Sequence, residues 1–143
     1  MKKLVVLIIA LLIVAGAVFG QGIWKDGTYT AEGDAFARGW KDMVRIVVEN
    51  GYIVDAHFDA IAEGGGMNKY LASVQGDYGM VANSDAQSAW YVQVDAAAAE
   101  LMKVQNPTDL TRSSSAVDAI SGVSITIMPH FELAAQALRN ARR

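Results

Sequence analysis

The sequence predicts an α+β fold, a single domain in which an antiparallel sheet with a central hairpin packs against two main helices. Three observations predict it. Residues 42–60 alternate between apolar and polar side chains on either side of Asn50-Gly51. Residues 84–104 and 128–141 each carry an apolar stripe at helical spacing. The strands also precede the helices instead of alternating with them, which disfavours a parallel sheet.

Residues 1–20, MKKLVVLIIALLIVAGAVFG, have the three parts of a secretory signal. Lys2 and Lys3 form the charged start, Leu4 to Ala15 the apolar stretch, and Val18-Phe19-Gly20 ends on a small residue. The apolar run Leu4–Phe19 is 16 residues long, short of the roughly 20 that a span needs. We assign 1–20 as a signal peptide and 21–143 as the folded domain, with an uncut anchor as the alternative. Either way the domain works outside the cytoplasm, in the periplasm or at the outer face of the membrane.

Residues 27–32, GTYTAE, read as a short strand. In the hairpin, Val44, Ile46 and Val48 share one face, and Asn50-Gly51 suits a type I′ turn, whose two central residues need positive φ. The returning strand places Tyr52, Val54, Ala56 and Phe58 on one face, and Asp55, His57 and Asp59 on the other. Residues 62–69 form a loop around Gly64-Gly65-Gly66. Residues 69–82 have helical spacing interrupted by Gly76 and Gly79. The helix over 84–104 takes Ser84 or Asp85 as its cap and buries Ala86, Trp90, Val94, Ala97, Leu101 and Val104, and Asn106-Pro107 stops it. Residues 116–120 are expected as a strand. The closing helix over 128–141 admits Pro129 only near its start and buries Phe131, Ala134, Ala135, Leu138 and Ala141.

Composition narrows the chemistry. The 143 residues include no cysteine, which excludes disulfides, thiolate metal sites, cysteine nucleophiles and a lipid-modified N-terminal cysteine. The net charge of -3 falls to -5 when the two lysines of the signal are removed, so nucleic acid is an unlikely partner on charge alone. The 52% hydrophobic content is concentrated in the first twenty residues, sixteen of which are hydrophobic.

The stretch Asp118-Ala119-Ile120-Ser121-Gly122-Val123-Ser124-Ile125-Thr126 carries the most chemical information. Gly122 lets the backbone turn and approach a ligand closely. Ser121, Ser124 and Thr126 bring three hydroxyls together just before an expected helix start, where N–H groups and the helix dipole favour phosphate. An ordinary helix cap explains the same residues.

This stretch resembles the flavinylation motif of the FMN-binding domain family, which reads Asp-x-x-Ser/Thr-Gly-Ala-Thr. The family includes peripheral subunits of sodium-pumping NADH:quinone oxidoreductases and Rnf complexes, and small exported electron-transfer proteins. Asp118, Ser121 and Gly122 match the motif, Val123 replaces its alanine, and Ser124 replaces the threonine that bears the flavin. Asp26-Gly27-Thr28-Tyr29-Thr30-Ala31-Glu32 and Gly39-Trp40-Lys41, with the hairpin after them, are also similar to the small exported members.

The resemblance implies an exported redox carrier, rather than an enzyme with its own substrate, with FMN joined by a phosphoester to Ser124. Thr126 is the fallback acceptor, and non-covalent FMN is a further possibility. The implied partners are a flavin transferase that uses FAD as FMN donor and a membrane redox complex. On the same resemblance Asp118 shapes the motif for the transferase and Gly122 permits close approach. The rival readings are a cofactor-free envelope binding or antigenic protein and a small flavin reductase.

The remaining candidates have plainer readings. His57 with Asp55 and Asp59 is expected as an exposed polar face rather than a metal trio, and His130 as a surface residue. Trp90 belongs to a core stripe, and Lys41 is expected in solvent. Trp40 and Tyr70 are candidates to meet an isoalloxazine ring, and the triple-glycine segment is expected as a mobile loop rather than as a flavin contact.

Overall fold

The computed structural model describes residues 22–143. The expected signal peptide lies outside the described residues. Three strands form an antiparallel sheet in the order β1 (Gly27–Glu32), β2 (Trp40–Glu49), β3 (Tyr52–Ala62). Two main helices, α3 (Trp90–Val104) and α6 (Met128–Ala137), cover one face, with α3 against β3 and α6 against β2 and β1. Among the described residues there are also four short helices: α1 (Lys69–Gln75), α2 (Met80–Asn83), α4 (Pro107–Thr111) and α5 (Ser114–Asp118). No helix among the described residues is long and apolar enough to cross a membrane.

The core lies between the sheet and the two helices. Val44, Ile46 and Val48 of β2 meet Val94, Ala97 and Leu101 of α3 and Phe131 and Ala134 of α6, all buried. Asn50 and Gly51, at φ 53° and 82°, make the expected tight turn.

The return strand departs from simple alternation. Val47 pairs with Asp55 but Val48 pairs with Ile53, so Val54 is an extra residue in a bulge. One inserted residue reverses the facing of everything before it. Tyr52 and Val54, expected inside, are therefore exposed, and Ile53 is buried instead. Gln105 satisfies the backbone at this point. Its Oε1 accepts from the Ile53 N–H at 2.7 Å and its Nε2 donates to the Ile53 carbonyl at 2.8 Å.

Four further expectations are corrected. The helix expected from residue 84 begins at Trp90. Over 84–89 side chains compete for the backbone: the Ser84 hydroxyl donates to the Met80 carbonyl and accepts from the Ala86 N–H. The Ser73 Oγ of α1 accepts from the Tyr91 N–H and so caps α3 from outside. Residues 69–82 resolve into α1 and α2, with Gly76 at φ 86° ending the first. Of the expected strand over 116–120, residues 116–118 lie in α5 and 119–120 in the turn after it, because the Val117 N–H bonds to the Ser113 carbonyl and Val117 and Ile120, three apart, both reach the core. The closing helix stops at Ala137, and the chain beyond pairs back on residues 23–25 through Lys25 N–H to Ala141 and Arg143 N–H to Ile23.

Candidate functional site

The motif sits on the connection between α5 and α6. Asp118 ends α5 with an exposed side chain. Ile120 to Val123 then turn, closed by the Val123 N–H on the Ile120 carbonyl at 3.2 Å, with Gly122 at φ 80°. A Cβ added at Gly122 would meet nothing within 4 Å, so glycine is needed there for its backbone angle and open space remains beside it.

Beyond the turn the chain alternates. Val123 and Ile125 are half-buried against the core and Ile127 is buried, while Ser124 and Thr126 are exposed on the opposite side. The apolar residues pin the segment and present two hydroxyls outward. The Ser121 side chain is exposed at the turn.

α6 begins at Met128, where the closing helix is expected, four residues beyond Ser124, and the backbone groups beside Ser124 are already bonded. Their partner is Gln93, buried in α3 at 1% exposure. Its Oε1 accepts from the Ser124 N–H at 2.7 Å, the Ile125 N–H at 3.1 Å and the Ser124 hydroxyl at 3.2 Å. Its Nε2 donates to the Ser88 carbonyl at 3.1 Å, which fixes the orientation of the amide. Gln93 is the site residue that motif reading misses. A signal for it exists, because position 93 falls inside the Trp90, Val94, Ala97 stripe, where a polar residue needs a specific partner.

An open cleft of about 470 Å³ lies against this segment, lined by Asp118, Val123, Ser124 and Thr126 together with Ser114 and Met128. Among the described residues no lysine or arginine lines it. The residues present fit a covalently held FMN: an exposed hydroxyl with an orienting acceptor, further hydroxyls nearby and room beside Gly122.

The other candidates lie elsewhere. Trp40, Lys41, Tyr70 and the triple-glycine loop do not line this cleft. Lys41 is tied to Glu32 at 2.9 Å, and Gly64, Gly65 and Gly66 are exposed with positive φ. Tyr70 donates to Asp95 at 2.8 Å, and burial together with that carboxylate pushes its pKa up to about 12. Trp90 is core, as expected.

Asp59, expected on an exposed face, is buried because α1 packs over it. It accepts from the Tyr70 N–H at 2.8 Å and so caps α1, whose own N-cap side chain makes no such bond. Burial raises its pKa, but hydrogen bonds from His57 and from the Tyr70 and Ala60 N–H groups outweigh burial and lower it. Asp55 turns instead to Arg45 at 3.1 Å. Among the described residues no group of three or more metal-ligating side chains is placed to hold an ion.

His130, expected at the surface, is 3% exposed and stacks on Phe58. Its Nε2–H donates to the Asp59 carbonyl at 3.0 Å, and Nδ1 has no partner. Burial lowers its pKa against the opposing pull of Asp42.

No protein-family model and no curated protein matches the chain. It is 43% identical to a Clostridium thermocellum protein known from a solution NMR structure, over 81% of this chain and 91% of that one, with a TM-score of 0.61. A Clostridium perfringens protein known from a crystal structure is 22% identical over 83% of this chain and 89% of that one, with a TM-score of 0.54, and shares the fold.

Proposed function

The chain belongs to the same family as the Clostridium thermocellum protein, and we propose that this member is an exported electron carrier holding FMN through a phosphoester to Ser124. The observation that carries the reading is the exposed Ser124 hydroxyl, held by a buried amide at the edge of a cleft inside a flavinylation-like motif. Export rests on the signal-like residues 1–20.

FMN, when bound, supplies one-electron and two-electron redox chemistry. The chain's own residues attach and place it. Gln93 holds the Ser124 N–H and Oγ–H together, which fixes the rotamer and turns the oxygen lone pairs outward. The hydroxyls of Thr126 and Ser114 are available to phosphate oxygens in the cleft.

Among the described residues no lysine or arginine lines the cleft, which favours a covalent link. A free FMN phosphate carries close to two negative charges and would meet no cation there, with Asp118 nearby. A diester carries one charge and is held by a bond. In loading by a transferase with FAD as donor, the Ser124 Oγ–P bond forms, the pyrophosphate bond on the FMN side breaks, and AMP leaves. The Gln93 amide accepts a hydrogen bond but is no base, so the transferase must take the hydroxyl proton.

Co-expression with a flavin transferase in an exporting host tests this reading. Wild-type protein should fluoresce as a flavin band in a denaturing gel, Ser124→Thr should keep the signal and Ser124→Ala should lose it. A dark wild-type band from the protein's own cells would exclude the covalent link. Rapid NADH oxidation by the purified holoprotein alone would point to a reductase instead of a carrier.

A further inference from the structure

A second cleft, of about 610 Å³, shares no lining residue with the one at Ser124. It lies between the connection from β1 to β2, the start of α1 and the outer side of α6. Its volume is within the roughly 300–1,000 Å³ of small-molecule sites. Trp40 and Tyr78 form part of its wall, packed edge to face with centroids 6.0 Å apart.

Two cations line it. The Lys69 Nζ lies 4.5 Å from the Tyr78 ring centroid, 4.8 Å from Trp90 and 5.7 Å from Trp40. Among the described residues no carboxylate lies within 4 Å of it. Three rings hold this ammonium away from part of its water and leave its charge without an anion. Arg38 is the second cation. With Gly39 it makes a tight turn, in which Ala37 and Trp40 exchange both backbone hydrogen bonds. Arg38 sits at φ 52°, an angle that asparagine or glycine adopts more cheaply. An arginine at a strained backbone position beside a cleft is a candidate functional residue.

We propose that this cleft binds a planar aromatic carboxylate, with its ring against Trp40 and Tyr78 and its carboxylate between Lys69 and Arg38. A cationic ligand fits less well, because Lys69 already occupies the ring faces that would attract one. Asp42 also lines the cleft; burial holds the His130 ring, 3.7 Å away, neutral, so His130 does not offset that carboxylate and the two cations must. Asp34 and Glu132 are exposed and screened by solvent. Guanidinium and ammonium together give a carboxylate charge-assisted hydrogen bonds in a partly dry setting.

Titration of the purified protein with 2-naphthoate, followed by calorimetry and amide chemical shifts, tests the proposal. Binding should shift amides at residues 33–40, 69 and 78, and the amine analogue 2-naphthylmethylammonium should not bind. Lys69→Met should weaken naphthoate at least tenfold, and Lys69→Arg should restore most of the loss. Arg38→Ala, at an exposed turn, should weaken binding without touching the ring cage. No binding at millimolar naphthoate, equal binding of the amine, unchanged affinity in both Lys69→Met and Arg38→Ala, or shifts confined to residues 117–128 would each overturn it. None of these outcomes depends on whether Ser124 carries a flavin.

Discussion

Gln93 links the helical core to the motif at the level of single atoms. One buried carbonyl oxygen accepts three hydrogens from two consecutive residues of an otherwise irregular segment. Leucine at this position would fill similar space and leave those donors without their partner, so Gln93→Leu should cost about 1–3 kcal/mol. Urea unfolding measures the loss, and amide exchange at Ser124 and Ile125 should accelerate more than exchange in β2. The same variant should carry less flavin than wild type, because the Ser124 rotamer is released. His130 is the second residue with a measurable signature. Its folded-state pKa is depressed by burial, so the unfolded chain takes up a proton that the folded chain resists. Its contribution to stability is therefore full above the ordinary histidine value of 6.5 and is lost as pH falls below it toward the folded pKa. The slope in that window is positive, with about 1.4 kcal/mol per pH unit as the ceiling for one proton. Urea midpoints measured between neutral and mildly acidic pH should show this slope in wild type and a flatter profile in His130→Gln.

Among the elements, the hairpin is the most tightly specified. Gly51 combines positive φ with close backbone contact: a Cβ there would lie 2.4 Å from the Gly22 carbonyl oxygen. Gly51→Ala should therefore cost about 2–3 kcal/mol and detach the chain around Trp24 from the turn. Loss of protection at the Trp24 N–H, which bonds to the Gly51 carbonyl, should accompany the drop in urea midpoint. Legibility in the sequence follows the strength of local signals. β1 matches its expected bounds, and the inward face of β2 is as its alternation requires. The bulge at Val54 was not legible, because it depends on Gln105, 52 residues away, bonding both backbone groups of Ile53. The start of α3 depends on Ser73 in another helix, and the α5 segment becomes helical through bonds and packing that five residues do not announce. His130 and Asp59 read as surface groups because each is covered by elements remote in sequence.

At the scale of the whole molecule, a sheet covered on one face by α3 and α6 holds two clefts apart. Among the described residues no lysine or arginine lines the open cleft at Ser124, whereas the one at Lys69 carries aromatic rings and cations. The motif itself was legible as a run of residues. Its tie to Gln93 of α3, in place of a bond to the helix N-terminus, was not. That difference replaces a helix dipole with an amide as the group that prepares Ser124. Covalent attachment, which the resemblance already implies, then rests on one bond, the phosphoester to Ser124. Peptide mass spectrometry of the protein isolated from its own cells tests that bond most directly. With FMN on Ser124, the peptide spanning Ser121 to Thr126 should be heavier by FMN less one water, with fragment ions placing the addition on Ser124. An unmodified peptide in all of the protein, or FMN on Thr126 with Ser124 bare, would contradict it.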